Sequence, residues 1–350
     1  MQNTSEVTAR TVDFKPGERN VFLHLLTQCN LACRHCYINP AQHGTSILPK
    51  ATAIDWLRLF ARSERKSNLV LLGGEPTLHP DLAEIIRAAK ALRYAVTVDS
   101  NGFLFHSFLE RLRPDELDFL SFSLDGPDAA VNDPIRGEGV FQVCTENLRK
   151  AVALGFRTSL ICTVSALNID HLHKMPALLA ELGVRRFFIQ VIGLRGKSAK
   201  NDTLQVEPSR WLEAVPETAR QAARLGIHVT FPKVFLEPKE TFSCAGQVSE
   251  NYFVFPNGRV YRCPLCEDYP IHSLVIENGQ LLRRDGLNED RFFSLRIPEG
   301  CVMNTLLQPD SIDYLPDGTP AHRISCCMLK QEYCSTVIQK LPKPSTSNML

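Results

Sequence analysis

The sequence has no apolar run near the roughly 18 residues that a membrane-spanning helix needs. Its first twenty residues are polar and lack the apolar centre of a signal peptide. No membrane role is therefore expected, and the cytoplasm, where thiols stay reduced, is the expected compartment. Charge of one sign is also lacking, with 39 basic residues against 38 acidic ones and a formal net charge of +1. Nucleic-acid binding would call for a dense basic stripe, and none is present. Basic pairs such as Arg283-Arg284 run straight into acids such as Asp285, as on a solvated surface. There is no internal repeat and no low-complexity segment. Twelve cysteines stand out instead. In a reducing compartment, clustered thiols point to metal rather than to disulfides.

The chain has 350 residues, 44% of them hydrophobic, enough for a main core and a smaller second one. From residue 21 onward, β-rich runs alternate with amphipathic helical stretches. Strands are expected at Val21–Thr27, Asn68–Gly73, Tyr94–Ser100, Leu117–Leu124, Arg157–Val164 and Arg186–Ile192. Several are apolar almost throughout, as parallel strands covered on both faces are. Helices are expected between them, over Ala51–Ser63, Pro80–Leu92, Val140–Leu154 and Asp170–Leu182. Six β-then-α units predict an α/β fold with a parallel sheet, wound open or curled into part of a barrel. One more helix is expected over Pro208–Leu225, after which short strands and loops dominate. Seven of the twelve cysteines lie in residues 244–334, which suggests a second, cysteine-rich module. The expected division is a lead-in over 1–20, a barrel over 21–205, a helix plus cysteine-rich module over 206–335, and a loose tail over 336–350.

At the end of the first strand stands Cys29-Asn-Leu-Ala-Cys33-Arg-His-Cys36-Tyr37. Three thiolates within eight residues can wrap one small inorganic cluster. A 4Fe–4S cube held by three protein ligands keeps one iron open for a substrate or cofactor. A structural zinc knuckle, with His35 as the spare ligand, and three plain buried thiols are the alternatives. Position favours a ligand site, because parallel α/β sheets bind ligands at the carboxyl ends of their strands.

The spacing Cys29-x3-Cys33-x2-Cys36 after a first strand resembles the defining motif of radical S-adenosylmethionine (SAM) enzymes. His35 suits the aromatic position before the last cysteine. The resemblance covers roughly residues 20–200 and implies a partial (β/α)6 barrel. It also implies a SAM-binding 4Fe–4S cluster on Cys29, Cys33 and Cys36, with His35 and Tyr37 beside the cofactor. Gly73-Gly74-Glu75-Pro76, which alone would be a tight turn, resembles the family's GGE motif, whose backbone receives the methionyl amino group. Asn101, in Asp99-Ser100-Asn101-Gly102, is by the same resemblance a contact to the cofactor's polar groups. Ser123-Leu124-Asp125-Gly126 followed by Arg136-Gly137 is similar to the family pattern S-x-D-G…R-G. It implies that Ser123 and Arg136 help hold the cofactor's carboxylate and ribose; a planar guanidinium suits a carboxylate. Cys144 and Cys162, among apolar neighbours, are expected to be buried unligated thiols.

Cys244-x13-Gly258-x4-Cys263 resembles the opening of the SPASM or twitch extensions of this superfamily. Pro256-Asn257-Gly258 is a hairpin signature. The later C-x2-C-x5-C-x3-C run is missing, so one auxiliary Fe–S cluster is expected, on Cys244, Cys263, Cys266 and Cys327. Adjacent Cys326 and Cys327 are not both expected to serve, since neighbouring side chains diverge. A zinc ribbon or spare thiols are the alternatives. What the family resemblance implies is reductive cleavage of SAM and hydrogen-atom abstraction from a peptide, protein or small-molecule substrate. It also implies a reductant such as flavodoxin or ferredoxin. Peptide-maturing members often carry a leader-peptide-binding domain before the barrel; about twenty residues precede the first strand here, too few for one, and a partner protein could supply it. Tyr261, Glu267, Asp268 and Cys301 are candidates to finish the reaction. Two other functions compete: a non-enzymatic iron–sulfur or zinc protein, for which Gly73–Glu75 and Ser123…Arg136 have no purpose, and RNA modification, disfavoured by the missing basic patch.

Overall fold

The computed structural model describes residues 6–335 apart from Ser63, Arg65, His106, Lys200 and 309–311. The expected tail over 336–350, the first five residues of the lead-in and the last residue of the expected helix Ala51–Ser63 lie outside the described residues.

The strands are β1 Val7–Val12, β2 Arg19–Leu26, β3 Asn68–Gly73, β4 Ala95–Ser100, β5 Phe119–Ser123, β6 Thr158–Val164, β7 Arg186–Val191 and β8 His228–Pro232. They continue as β9 Phe235–Leu236, β10 Glu250–Val254, β11 Arg259–Tyr261, β12 Leu274–Glu277, β13 Gln280–Arg283, β14 Arg323–Ile324 and β15 Lys330–Ser335. Thirteen join one sheet in the order β1-β15-β8-β7-β6-β5-β4-β3-β2-β10-β11-β12-β13, while β9 and β14 pair separately. Neighbours from β2 through β8 are all parallel, and β10 is parallel to β2 on the other side.

Side chains alternate along these strands as the pleat requires. Leu69, Leu71, Val96, Val98, Leu120, Phe122, Leu160, Phe187 and Ile189 point outward into the core and are almost wholly buried. That core also takes Leu57 and Phe60 of helix Lys50–Phe60, Ile85 and Ile86 of Leu82–Ala91, and Leu148 of Val140–Ala153. Each such side chain contributes about 1.5–3 kcal/mol by leaving water. The inward positions Thr97, Asp99, Ser123, Thr163 and Gln190 are polar and only half-buried.

The sheet curls. Phe22 of β2, Phe188 of β7, Pro232 of β8 and Phe253 of β10 line one cavity. Five steps of strand spacing would separate β2 from β7 by roughly 24 Å if the sheet were flat. Parallel strands that curl with helices outside match the expected barrel class.

Four features differ from the sequence expectation. The barrel does not stop at residue 205, because β8 lies beyond it and continues the parallel run after helix Pro208–Arg224. The lead-in contributes a strand for which no expectation was made, since β1 pairs antiparallel with β15, with Val7 opposite Ser335, and β15 pairs with β8. The cysteine-rich segment is continuous with the barrel sheet, because β10 adds to β2 and turns back through the expected hairpin into β11. A short helix, Ala129–Arg136, stands where sequence reasoning placed no helix. It is started by Asp128, whose carboxylate accepts the Val131 N–H at 3.0 Å, and it runs through Pro134 to Arg136. Among the described residues no helix is long and apolar enough to cross a membrane.

Candidate active site

The first cysteine loop leaves β2 at the carboxyl end of the sheet, and the exits of β3, β4, β5 and β7 converge on it. Gly73 and Gly74 explain the first contact. The Gly74 N–H donates to Leu26 O and the Glu75 N–H to Gln28 O, both at 2.9 Å. A Cβ on Gly73 would fall 2.1 Å from Leu26 O, and one on Gly74 would fall 2.0 Å from Gln28 O. Gly73 also holds φ +147°, a conformation that side chains rarely adopt. These glycines let β3 press against the backbone that carries Cys29.

Glu75 ties β3 to β4. Its carboxylate is wholly buried and accepts from Asn101 N–H at 2.7 Å, Thr77 N–H at 3.0 Å, Thr77 Oγ1 at 2.7 Å and Ser100 Oγ at 2.9 Å. Burial raises its pKa against these bonds. The side chain is thus committed to the protein. Asn101, placed by that bond, donates from Nδ2 to Asn30 Oδ1 at 2.8 Å and to Cys29 Sγ at 3.6 Å. The Leu31 N–H also approaches Cys29 Sγ, at 3.4 Å.

The β5 exit supplies Ser123, half-buried at the strand end, and Asp125. Asp125 is fully buried; its Oδ2 lies 2.6 Å from Arg136 Nε and 2.8 Å from His35 Nε2, and its Oδ1 accepts the Thr163 N–H at 2.8 Å. Burial alone would raise the Asp125 pKa, yet the Arg136 guanidinium and His35 hold it well below the usual carboxylate range. Arg136 is therefore 7% exposed and anchored, not a surface residue after Pro134. The helix that ends there also braces the cysteine loop: Ile135 O accepts the Arg34 N–H at 3.0 Å, and Arg136 O lies 3.8 Å from Cys33 Sγ. Asp125 went unselected in the sequence, although it sits inside the S-x-D-G motif that pointed to Ser123.

The β7 exit closes the loop from the other side. Lys197 N–H donates to Cys36 O at 2.8 Å, and a Cβ on Gly196 would sit 2.5 Å from that oxygen. Tyr37 turns inward. His24 donates through Nδ1 to Val254 O at 3.0 Å, so its Nε2 accepts the Tyr37 hydroxyl at 2.8 Å. Burial lowers the His24 pKa to about 3, which keeps it neutral. The Arg195 guanidinium lies 4.9 Å from the centre of the Tyr37 ring. Tyr37 therefore links the cysteine loop to β10 and β7.

No disulfide joins the described cysteines. Cys29 is exposed, Cys33 and Cys36 are half-buried, and His35 has one ring nitrogen held by Asp125. Burial raises Cys29 to about 11 and raises Cys33 as free thiols. Three free thiols on one loop, with N–H donors aimed at a sulfur, fit the donor set of a cube with one open iron. Asn101, Arg136 and the Gly73–Glu75 backbone border the same loop, and Ser123 stands half-buried at the β5 exit.

The second thiol set gathers more members than expected. Cys244 and Cys327 are close enough to Cys326, and Cys266 to Cys263, for each thiol to shift the other's pKa. Cys301 is close enough to Cys326 and Cys263 for their charges to act on it. Cys326 thus lies near the same thiols as Cys327. The pair sits in a turn outside any strand, where the alternation rule does not hold. Cys244 and Cys327 beside it draw the Cys326 pKa well below its usual value. Buried Glu289 shapes this region: it accepts the Arg262 N–H at 2.7 Å, the Cys263 N–H at 3.0 Å and Ser273 Oγ at 2.8 Å. Nothing local in the sequence marks it. Cys334 lies apart on β15 beside Thr8, and Cys144 and Cys162 are buried as expected. Among the described residues no three His, Cys, Asp or Glu side chains are drawn closely enough together to hold a single metal ion.

The four candidates for finishing the reaction have structural partners. Glu267 pairs with Arg195 at 2.6 Å, and Asp268 accepts the Gly196 N–H at 2.6 Å. Tyr261 donates to Tyr269 O at 2.9 Å, and Cys301 precedes helix Val302–Leu307 within the thiol group.

Residues 24–179 match the Radical SAM superfamily. The chain carries a radical SAM domain. The superfamily's cofactors are a 4Fe–4S cluster and SAM. The chain is 29% identical to the PqqA peptide cyclase of Ruegeria pomeroyi over 304 residues, which is 82% of this chain and 79% of that protein. It is 29% identical to the pre-heme d1 synthase of Dinoroseobacter shibae over 184 residues, 52% of this chain and 45% of that one. In three dimensions it resembles SuiB of Streptococcus suis bound to the precursor peptide SuiA. That match has a TM-score of 0.57 and 14% identity, covering 71% of this chain and 60% of that one. The chain thus spans about half the length of one curated relative and more of another. The solved structure supports the barrel fold.

Proposed function

We propose that this chain is a radical SAM enzyme that modifies a peptide substrate. One observation carries the reading: Cys29, Cys33 and Cys36 share a loop to which the exits of β3, β4, β5 and β7 are each tied. Similarity to the PqqA peptide cyclase across 82% of the chain supports a peptide as substrate. Cys29, Cys33 and Cys36 would hold the 4Fe–4S cluster. Cys244, Cys263, Cys266 and Cys327 would hold one auxiliary iron–sulfur cluster, with Cys301 and Cys326 within reach. When bound, the first cluster and SAM would supply one-electron bond cleavage and hydrogen-atom abstraction.

The chain's own residues orient and shield. Asn101 directs its amide at Cys29 Sγ while Glu75 fixes its backbone, so the sulfur faces a donor held in place. The Asp125 ion pair fixes the Arg136 guanidinium beside the loop, where it can meet a carboxylate with little reorganisation. Phe22, Phe188 and Phe253 wall the barrel cavity with apolar surface and limit water there. An electron donor of the flavodoxin or ferredoxin type and a cytoplasmic setting complete the reading.

The test is anaerobic reconstitution with iron and sulfide, followed by reduction in the presence of SAM. Formation of 5′-deoxyadenosine is expected, with roughly eight irons per chain if two cubes are bound. A Cys29→Ala, Cys33→Ala, Cys36→Ala triple variant should lose all 5′-deoxyadenosine formation. If the wild-type chain binds iron yet forms none, the reading fails.

A further inference from the structure

The barrel encloses a cavity of about 260 Å³ between β2, β7, β8 and the turn that carries Cys327. Aromatic side chains, among them Phe22, Phe188 and Trp211, make up much of its wall, and among the described residues no Asp or Glu lines it. Two cations do, Arg195 and Lys330. Arg195 is neutralised by Glu267 at 2.6 Å. Lys330 is different. Its ammonium lies 4.4 Å from the centre of the Phe188 ring, and among the described residues no carboxylate stands within ion-pair distance of it. Gln190 lines the same cavity, and its Oε1 is buried without a hydrogen-bond partner.

A charge held in an apolar enclosure without a carboxylate partner is costly, and so is an orphaned amide oxygen. A cation over an aromatic face recovers only part of that cost. Both side chains line one space large enough for an amino-acid side chain with its backbone. The arrangement is complementary to an anion that carries its own N–H donor next to an apolar group.

We propose that Lys330 and Gln190 form the recognition end of a substrate pocket, taking a carboxylate and an adjacent N–H of an aromatic or aliphatic amino-acid unit. The inference rests on the peptide-modifying reading and names which part of the peptide enters. The carboxylate meets the Lys330 ammonium, the N–H donates to Gln190 Oε1, and the side chain lies against Phe22, Phe188 and Trp211. Burial lowers the Lys330 pKa to about 8, opposed by negative charge on Cys327 and Cys326.

The test compares N-acetyl-phenylalanine with N-acetyl-phenylalaninamide, two probes that differ in the carboxylate alone. Binding to the reconstituted full chain is followed by saturation-transfer NMR under anaerobic conditions. The acid is expected to bind about tenfold more tightly than the amide, as one buried charge pair can supply. Lys330→Met should erase that preference and Lys330→Arg should restore most of it. Gln190→Leu should weaken both probes alike and keep the preference. Equal binding of acid and amide by the wild-type chain overturns the proposal. So does a preference that survives Lys330→Met, or a Lys330→Met variant that changes only the reduction potential of an auxiliary cluster, which would make Lys330 a counter-charge for the thiolates. If Lys330→Met does not fold, the wild-type comparison together with Gln190→Leu decides. Formation of 5′-deoxyadenosine by the wild-type chain is measured separately, so a failed pocket leaves the enzyme class standing, and a failed class is seen independently of the pocket.

Discussion

Arg195 Nη1 lies 2.6 Å from Glu267 Oε2, and this pair joins the two cysteine centres. Arg195 belongs to the loop whose Lys197 N–H holds Cys36 O, while Glu267 directly follows Cys266. The guanidinium also donates to Pro264 O and covers the Tyr37 ring. Any shift of one cysteine loop is therefore felt by the other.

Arg195→Met removes the cation and leaves Glu267, which is 2% exposed, without a counter-charge. Breaking one side of a buried pair costs about 3–5 kcal/mol. Urea unfolding of the variant should show a loss in that range at pH 8. The loss should shrink at pH 5, where Glu267 can take up a proton. A loss that does not change with pH would place the effect in packing instead.

Asp99 faces the barrel interior, and burial raises its pKa to about 7, opposed by its bond to Ser121. A carboxyl raised in the fold favours the protonated form, so its contribution to stability is full below its unfolded pKa. That contribution is lost as pH rises toward 7. The free energy involved is about 1.4 kcal/mol for each unit of displacement. Asp99→Asn should flatten the stability profile between about pH 4 and pH 7 and be the more stable chain at pH 8. A variant profile parallel to the wild type would show that Asp99 is not the titrating group.

Gly74→Ala puts a methyl group where Gln28 O already stands, 2.0 Å away. The β3 exit must then move off the backbone that carries Cys29. The variant should lose about 2 kcal/mol or more, as a forced backbone shift does. It should also retain less iron at the first site than Gly139→Ala, whose added Cβ meets no atom within 4 Å. Equal iron retention in the two variants would count against a role for Gly74 in seating the loop.

Cys334 is the control for the second thiol group, since it lies on β15 rather than with the other six downstream cysteines. Cys334→Ser should keep full iron. Cys263→Ser should lose roughly four irons, one cube. Equal loss from both would mean that the gathered thiols are not where iron binds.

The parallel strands were legible because each is a local run of apolar residues bounded by turn signals, and the hairpin at Pro256-Asn257-Gly258 was legible for the same reason. Strand β1 was not. Its partner β15 begins 318 residues further on, and no local pattern encodes a pairing at that distance. Strand β8 was missed because it follows the longest helix and ends at Pro232, which reads as a boundary.

Among site residues, the sequence alone determined the three cysteines, the paired glycines and the motif around Ser123, since each is a short segment whose chemistry depends on its own spacing. The tertiary structure alone decided that Asp125 gathers Arg136 and His35, that Cys326 faces the same thiols as Cys327, and that Lys330 meets the barrel cavity without a carboxylate. Those outcomes depend on which distant strands the curled sheet brings face to face. Burial and charge at such meeting points are properties of the packed chain and not of any stretch of it.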